Sequence, residues 1–287
     1  MAFQSRFGNT DIKLDPKMSL ELSDRQKQFI ESIATSEGFN HFTIELDHGS
    51  LKGDNYFGII TVVTVQEIIT KRKLHLILKS ALQGENLRKK VPVHQVYERE
   101  NFLYNVILKN LDELQKEHKV KEFFDGTARY FGGLSEVNEE CLVLENLKER
   151  GFKLWDRKKP MDSHHVGAVM AQYGKFHALS YALKKLKPAV FSKITENFHN
   201  VLNENMTNTD LEDSMINTMD RAFKAVMGNM SAVAGLKRFM ETSKVFFKQT
   251  LKAKDKYSVI QHGDSWCNNI MFKYQVRIHI PTYTYFN

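Results

Sequence analysis

Val259-Ile260-Gln261-His262-Gly263-Asp264-Ser265-Trp266-Cys267-Asn268-Asn269-Ile270-Met271-Phe272 is the stretch that decides the fold. A short strand over Ser258 to Gln261 leads to His262, a turn presents Asp264, and Asn269 follows just before a second apolar strand. So short a loop lets both side chains project from one turn toward the same point. A carboxylate there can accept or orient the proton of an attacking hydroxyl. A neutral amide oxygen beside it can hold a metal ion on phosphate groups, and phosphoryl transfer needs that division of labour. The plainer alternative is an Asp and an Asn that cap a hairpin.

The chain upstream supplies the context. Ser23 followed by Gln26 has the spacing of a capping box, with Phe29, Ile30 and Ile33 on one helical face and Gly38 as the stop. Phe42 to Leu46 alternates as a strand, and His48 to Asn55 is a turn-rich loop. Phe57 to Glu67 is β-branched and strand-like, the basic run Lys71-Arg72-Lys73 turns, and Leu74 to Lys79 is a third strand. Val93 to His118 is a long helix whose apolar stripe is Val96, Phe102, Leu103, Val106, Ile107, Leu111 and Leu114. Ala128 to Phe131 and Cys141 to Leu144 are two more strands, joined through Gly132-Gly133. Short connections between the first three strands favour an antiparallel sheet.

The second half changes character between Glu145 and Lys159. Asp162 to Leu186 is helical, with Val166, Val169, Met170, Tyr173, Phe176 and Leu179 at helical spacing. Residues 195–206, 210–228 and 231–252 read as further helices whose methionines fill a core.

Composition bounds the rest. A chain of 287 residues with 42% hydrophobic and 26% charged side chains is long enough for two domains or lobes and is not a disordered chain. Two cysteines, Cys141 and Cys267, exclude a disulfide scaffold and a cysteine-based zinc motif, and read as buried thiols. A net charge of +7 is a modest excess with no arginine-rich arm, so no nucleic-acid partner is expected. No stretch has the length of a signal peptide's apolar region or of a membrane span, which points to a soluble, cytoplasmic protein without a membrane partner. His164 and His165 are adjacent on a helix and point about 100° apart, a poor chelating pair.

The HGD of residues 262–264 with Asn269 matches the HxD(x4)N catalytic loop of protein-kinase-like proteins, whose small-molecule branch carries HGD. The upstream order of three strands, a helix and two strands is that of a kinase-type small lobe. The fold class expected is therefore α+β: a protein-kinase-like two-lobed fold, with a five-stranded antiparallel N-lobe sheet and one helix, and a mostly helical C-lobe that is incomplete. The third strand ends at Lys79, where a lysine would meet nucleotide phosphates. In the following helix Glu100 is its better partner and Glu98 the runner-up. The loop between the first two strands, with Gly53, Asp54 and Asn55, would fold over the phosphates through its backbone N–H groups, although it lacks a full GxGxxG.

KGDNYFG, the Tyr97-x-x-Glu100 helix, CLVLENLKERGF, KFHALS at 175–180 and HGDSWCNNIMFKY together resemble the insect ecdysteroid-kinase-like family, CHK-kinase-like proteins related to choline kinases and aminoglycoside phosphotransferases. The resemblance runs from about residue 40 to Tyr274. It implies ATP and Mg2+ as cofactors, with a steroid or xenobiotic alcohol as the phosphorylated substrate. Asp264 would be the catalytic carboxylate, Asn269 a metal ligand, and Leu144, Glu145 and Leu147 a hinge holding adenine through backbone groups. His177 would be a packed, hydrogen-bonded helix residue, not a catalytic one. The implied organisation is an N-terminal arm and helix (1–38), a small nucleotide-binding lobe (39–147), a partial helical large lobe with the catalytic loop (148–274) and a divergent tail (275–287). A protein kinase is disfavoured by HGD in place of HRD and by the lack of an A-P-E segment. Oligomeric state is not legible.

The chain departs from the family after Tyr274. The family continues through a second metal-binding aspartate, whereas here Asp264 is the last acidic residue and the tail reads QVRIHIPTYTYFN. A truncated form with weak or no activity is expected, since a held metal supplies several kcal/mol to such chemistry. The alternative is a non-catalytic nucleotide-binding or scaffold protein on the same fold.

Overall fold

The computed structural model describes residues 20–49, 58–84, 88, 92–196, 209–252, 255–274 and 281–286. These fall into two compact units, one built from residues 20–190 and 261–286 and the other from 191–260.

The larger unit opens with α1 (Asp24–Ser36). Ser23 caps it as its spacing predicts: its side chain accepts from Gln26 N at 3.1 Å, and its own N–H donates to Gln26 Oε1. Then come β1 (Phe42–His48), β2 (Gly58–Glu67) and β3 (Lys73–Ala81), followed by α2 (Val93–Phe102), a π-helical turn (Leu103–Leu108) and α3 (Lys109–Glu117). With β4 (Tyr130–Leu134) and β5 (Cys141–Glu145) the strands form one antiparallel sheet in the order β1-β2-β3-β5-β4. Side chains alternate between the faces of a strand. Leu76 and Leu78 of β3 therefore join Val63, Val65, Cys141 and Val143 against Ile30 and Ile33 of α1. Lys79 and Leu142, partners across β3 and β5, lie on the opposite face.

Several boundaries differ from the sequence reading. β3 runs two residues past Lys79, to Ala81. Gly132 and Gly133 are not a connection but part of β4, paired with Val143 and Leu142. The long helix is interrupted by the π-helical turn, and its fully buried face carries Tyr97, Asn101 and Tyr104, while Val96, Phe102, Leu103 and Val106 flank that face half-buried.

Beyond β5 the unit continues with a 3-10 turn (Leu147–Arg150), β6 (Lys153–Leu154) and α4 (Ser163–Leu186), capped by Asp162. It closes with β7 (Ile270–Tyr274) and β8 (Pro281–Phe286), which form an antiparallel sheet β6-β7-β8. Residues 258–262 are not a strand, although Ile260 is buried. On α4 the buried positions are His165, Val169, Phe176, Leu179, Ser180 and Leu183, whereas Val166 and Met170 of the expected stripe are exposed. His165 takes the inward place at the N-terminal end. It meets Asp162 Oδ1 at 2.7 Å and Tyr274 Oη at 3.0 Å, and packs against Trp155. That clasp ties α4 to β7.

Helix α5 (Pro188–Glu196) follows α4 directly, so the helix expected over 195–206 begins earlier, and residues 197–206 lie outside the described residues. In the smaller unit α6 (Thr209–Val226) and α7 (Met230–Lys252) are joined by a tight turn in which Asn229 Oδ1 accepts from Ala232 N. Met227 and Met230 beside that turn are largely exposed rather than core-filling. Among the described residues no helix is long and apolar enough to cross a membrane. Cys141 is buried, which pushes its thiol up to about 11, while Cys267 is only half-buried.

Candidate active site

On the α2-facing side of the sheet, Lys79 Nζ donates to both carboxylate oxygens of Glu100, at 2.6 and 2.8 Å. The two side chains are 25% and 21% exposed, so the pair is screened from water on most sides without being sealed. Glu98 is exposed and lies 3.2 Å from His94 of its own helix. The difference is helical phase: two residues on a helix stand about 200° apart, so only one of the two glutamates can meet the sheet.

The loop of residues 262–269 is held by its own polar groups. Gly263 has φ of 81°, and the turn it makes brings Asp264 N within 3.2 Å of His262 Nδ1. Trp266 N donates to Asp264 O and Asn269 N to Trp266 O, winding the chain into a 3-10 turn (Cys267–Asn269). Asn269 Nδ2 donates to both Asp264 O at 2.9 Å and Asp264 Oδ2 at 3.0 Å. The two residues singled out in the sequence therefore touch, and with Nδ2 committed to Asp264 the amide oxygen of Asn269 points elsewhere.

His262 connects this loop to the ion pair. Burial holds its imidazole below the usual histidine range, while Asp264 and Glu100 push it up and Lys79 pushes it down. One ring thus lies within electrostatic reach of Lys79, Glu100 and Asp264 together. A neutral ring suits its place, because Nδ1 has to accept the Asp264 N–H. Tyr173 of α4 packs edge-on against His262.

The remaining expected site residues are distributed as follows. Gly53, Asp54 and Asn55 lie outside the described residues. Leu144 is buried in β5. Glu145 ends β5 with its N–H on Arg129 O and its carboxylate beside Arg150 at 3.3 Å. Leu147 is buried, and its carbonyl accepts from Phe152 N. His177 packs between Tyr173 and Phe176, and its shielded Nε2 has no hydrogen-bond partner among the described residues.

Hard oxygen donors suit Mg2+, and Asp264 with the Asn269 amide oxygen supplies two of that kind. Among the described residues no three His, Cys, Asp or Glu side chains gather as a metal site, so ligands beyond these two would have to come from phosphate groups or water. A cleft of about 320 Å³ opens beside the loop, between Trp155, Val166, Val169 and Met170 on one side and Ser265 and Cys267 on the other. Sequence reading missed Asn101, Tyr104, Tyr130 and Tyr173 around this site. The available signal was the polar-tipped set Tyr97, Asn101 and Tyr104 at helical spacing around Glu100.

A family model described as the ecdysteroid kinase-like family matches residues 52–284. The match starts later than the likeness seen by eye and runs ten residues past Tyr274, through most of β8. No curated protein and no solved structure matches the chain.

Proposed function

Because the chain belongs to the ecdysteroid kinase-like family, we propose that it binds ATP with Mg2+ and transfers the γ-phosphoryl group to the hydroxyl of a steroid or xenobiotic alcohol. The observation that carries this reading is the contact between Asp264 and Asn269 in the 262–269 loop, beside the two-pronged Lys79–Glu100 pair on the sheet.

In this reading Lys79, held in place by Glu100, binds the phosphate oxygens. Asp264 accepts a hydrogen bond from the acceptor hydroxyl and orients its oxygen for in-line attack. Asn269 braces Asp264 through its amide N–H groups and offers its oxygen outward as a metal ligand. His262 fixes the loop by accepting the Asp264 N–H. Magnesium, when bound, offsets the charge on the transferring phosphate oxygens. The cleft beside Ser265 is largely apolar and open, which suits an alcohol with a hydrocarbon body. Glu145 and Leu147 would face adenine, and residues 53–55 would cover the phosphates.

None of residues 265–287 is Asp or Glu, so this stretch adds no second carboxylate for the metal. A shortfall of about 4 kcal/mol in transition-state stabilisation slows a reaction about a thousandfold. Slow turnover by this 287-residue chain is the expected result, and the same observation favours a second reading as a nucleotide-binding protein without catalysis.

The test is to incubate the purified chain with ATP, Mg2+ and an ecdysteroid, and in parallel to titrate ATP calorimetrically with and without Mg2+. Slow product formation that Asp264→Asn abolishes supports the transferase. Magnesium-independent binding without product supports the second reading. No ATP binding under either condition, or turnover indifferent to Asp264→Asn, removes the proposal.

A further inference from the structure

Tyr97, Asn101 and Tyr104, the residues at helical spacing around Glu100, are buried although each ends in a polar group. Apolar side chains would serve burial as well, so each hydroxyl or amide there calls for a partner. Asn101 finds its partner on β4. Tyr130 donates its hydroxyl to Asn101 Oδ1 at 2.7 Å and accepts from Asn105 Nδ2 at 3.1 Å. The ring of Tyr130 stacks on Tyr104, with centroids 5.0 Å apart and planes within 12°. Tyr104 and Asn105 both lie in the π-helical turn, which widens the helix and shifts everything after it by one residue.

The strands leave room for this docking. A Cβ at Gly133 of β4 would come within 2.0 Å of Asn101 Oδ1. A Cβ at Gly58, the first residue of β2, would come within 2.4 Å of the Tyr97 hydroxyl. The helix thus meets the sheet through polar groups seated where two strands have no side chain, one about a helical turn before Glu100 and one directly after it.

We propose that Tyr130 and Asn101 are a positioning pair, which sets the rotation of α2 on the sheet so that Glu100 meets Lys79. Apolar packing alone tolerates small rotations of a helix, but a turn of one residue, about 100°, would carry Glu100 off Lys79 altogether. Directional hydrogen bonds to Asn101, the next residue, exclude that. The functional consequence rests on the phosphotransferase reading; the structural claim does not.

Tyr130→Phe removes the hydroxyl and keeps the stacked ring. On the full chain with Mg2+, titration with the fluorescent analogue TNP-ATP should show about fivefold weaker binding, the fold-change that one lost hydrogen bond allows. In a Glu100→Gln background the same change should cost nothing further, because its effect travels through Glu100. Equal losses in both backgrounds, or none in either, overturn the proposal. Hydrogen exchange on the free protein provides a separate readout. Peptides covering residues 97–105 should exchange faster in Tyr130→Phe, while those of α1 should not; unchanged exchange also overturns the proposal. If the parent chain binds no TNP-ATP, the phosphotransferase reading fails, and the exchange result alone decides the positioning pair. Should Tyr130→Phe not fold, Asn105→Ala removes one bond of the network from an exposed position and should act in the same direction more weakly.

Discussion

Replacing Lys79 by Met should separate what the Lys79–Glu100 pair does for stability from what it does for ligand binding. Both carboxylate oxygens accept from Nζ, at 2.6 and 2.8 Å. At an effective dielectric constant of about 20, the gross attraction at this distance is about 6 kcal/mol. Desolvation of the two ions cancels most of it. Removing one partner strands the other: Glu100 would remain within electrostatic reach of Tyr97, Tyr104 and Tyr130 without a counter-ion. Stranding a charge in a fully buried pair costs about 3–5 kcal/mol, and losing an exposed pair costs under about 1 kcal/mol. Side chains 25% and 21% exposed belong between these limits, at about 2 kcal/mol for Lys79→Met. Glu100→Gln leaves the ammonium stranded but retains a hydrogen-bond acceptor, so about 1 kcal/mol is expected. In Lys79→Met/Glu100→Gln no charge is left alone, and roughly 1 kcal/mol of the summed loss should return as coupling. Urea unfolding followed by circular dichroism measures all four corners of this cycle. Nucleotide affinity should behave differently, falling in Lys79→Met and staying low in the double variant, because the phosphate-binding cation is gone. Strictly additive stability losses would show that the pair is not coupled. Recovered affinity in the double variant would show that Lys79 is not a phosphate ligand.

Two further outcomes concern pH. Glu140 has a fully buried side chain; burial alone would raise its pKa, but two 2.8 Å bonds from Arg88, with His94 nearby, bring it down from 4.5 to about 2. A lowered folded value stabilises the protein above pH 4.5 and loses that contribution as pH falls toward 2, a contribution of about 3 kcal/mol; Glu140→Gln should lower the urea midpoint at pH 7 and flatten the pH dependence across that window, and a midpoint equal to the parent's would refute it. For His262 the sign is different: burial lowers its pKa from 6.5, so below pH 6.5 the unfolded chain takes the proton first and the folded state loses stability. His262→Gln should abolish that part of the decline as pH falls below 6.5, and an unaltered profile would assign the decline to another group.

Much of α1, the five-stranded sheet and the 262–269 loop was legible because each is built from local patterns. The capping box at Ser23 and Gln26, the β-branched alternation of β2 and the spacing of His262, Asp264 and Asn269 each report on neighbours a few residues away. Glu100 could be preferred to Glu98 because helical phase is also local. What escaped detection was tertiary. Gly132-Gly133 reads as a turn in one dimension, yet Gly133 lies in a strand because Asn101 occupies the space where its side chain would be. The apolar stripe drawn through Val96, Phe102, Leu103 and Val106 misses the buried places, which Tyr97, Asn101 and Tyr104 take, while Ile107, Leu111 and Leu114 are buried as drawn. His165 looked like half of an unlikely metal pair, and only the structure brings Asp162, Trp155 and Tyr274 around it. The outward Val166 and Met170 broke the expected stripe for the same reason, since the inward place was taken by a histidine with two polar partners.

The chemistry of residue 269 follows from the same geometry. Its Nδ2 donates to the backbone and to the carboxylate of Asp264 at once, so it braces the turn and leaves its oxygen outside that contact. Aspartate in that position would offer a metal more charge but could not donate, and would set a second carboxylate against the first at hydrogen-bonding distance. Glutamine would keep the donor and add a methylene, moving the amide off an atom it now meets at 2.9 Å. Asparagine is thus the side chain that can hold the Asp264 carboxylate and still present a neutral oxygen. The five-residue step from Asp264 brings it into contact because a 3-10 turn folds Cys267–Asn269 back on the loop. Lys79 and Glu100 stand far away in sequence, and His262 relates them to this turn. Its ring accepts the Asp264 N–H, and the charges of Asp264, Glu100 and Lys79 all act on it, so it stands between the turn and the ion pair.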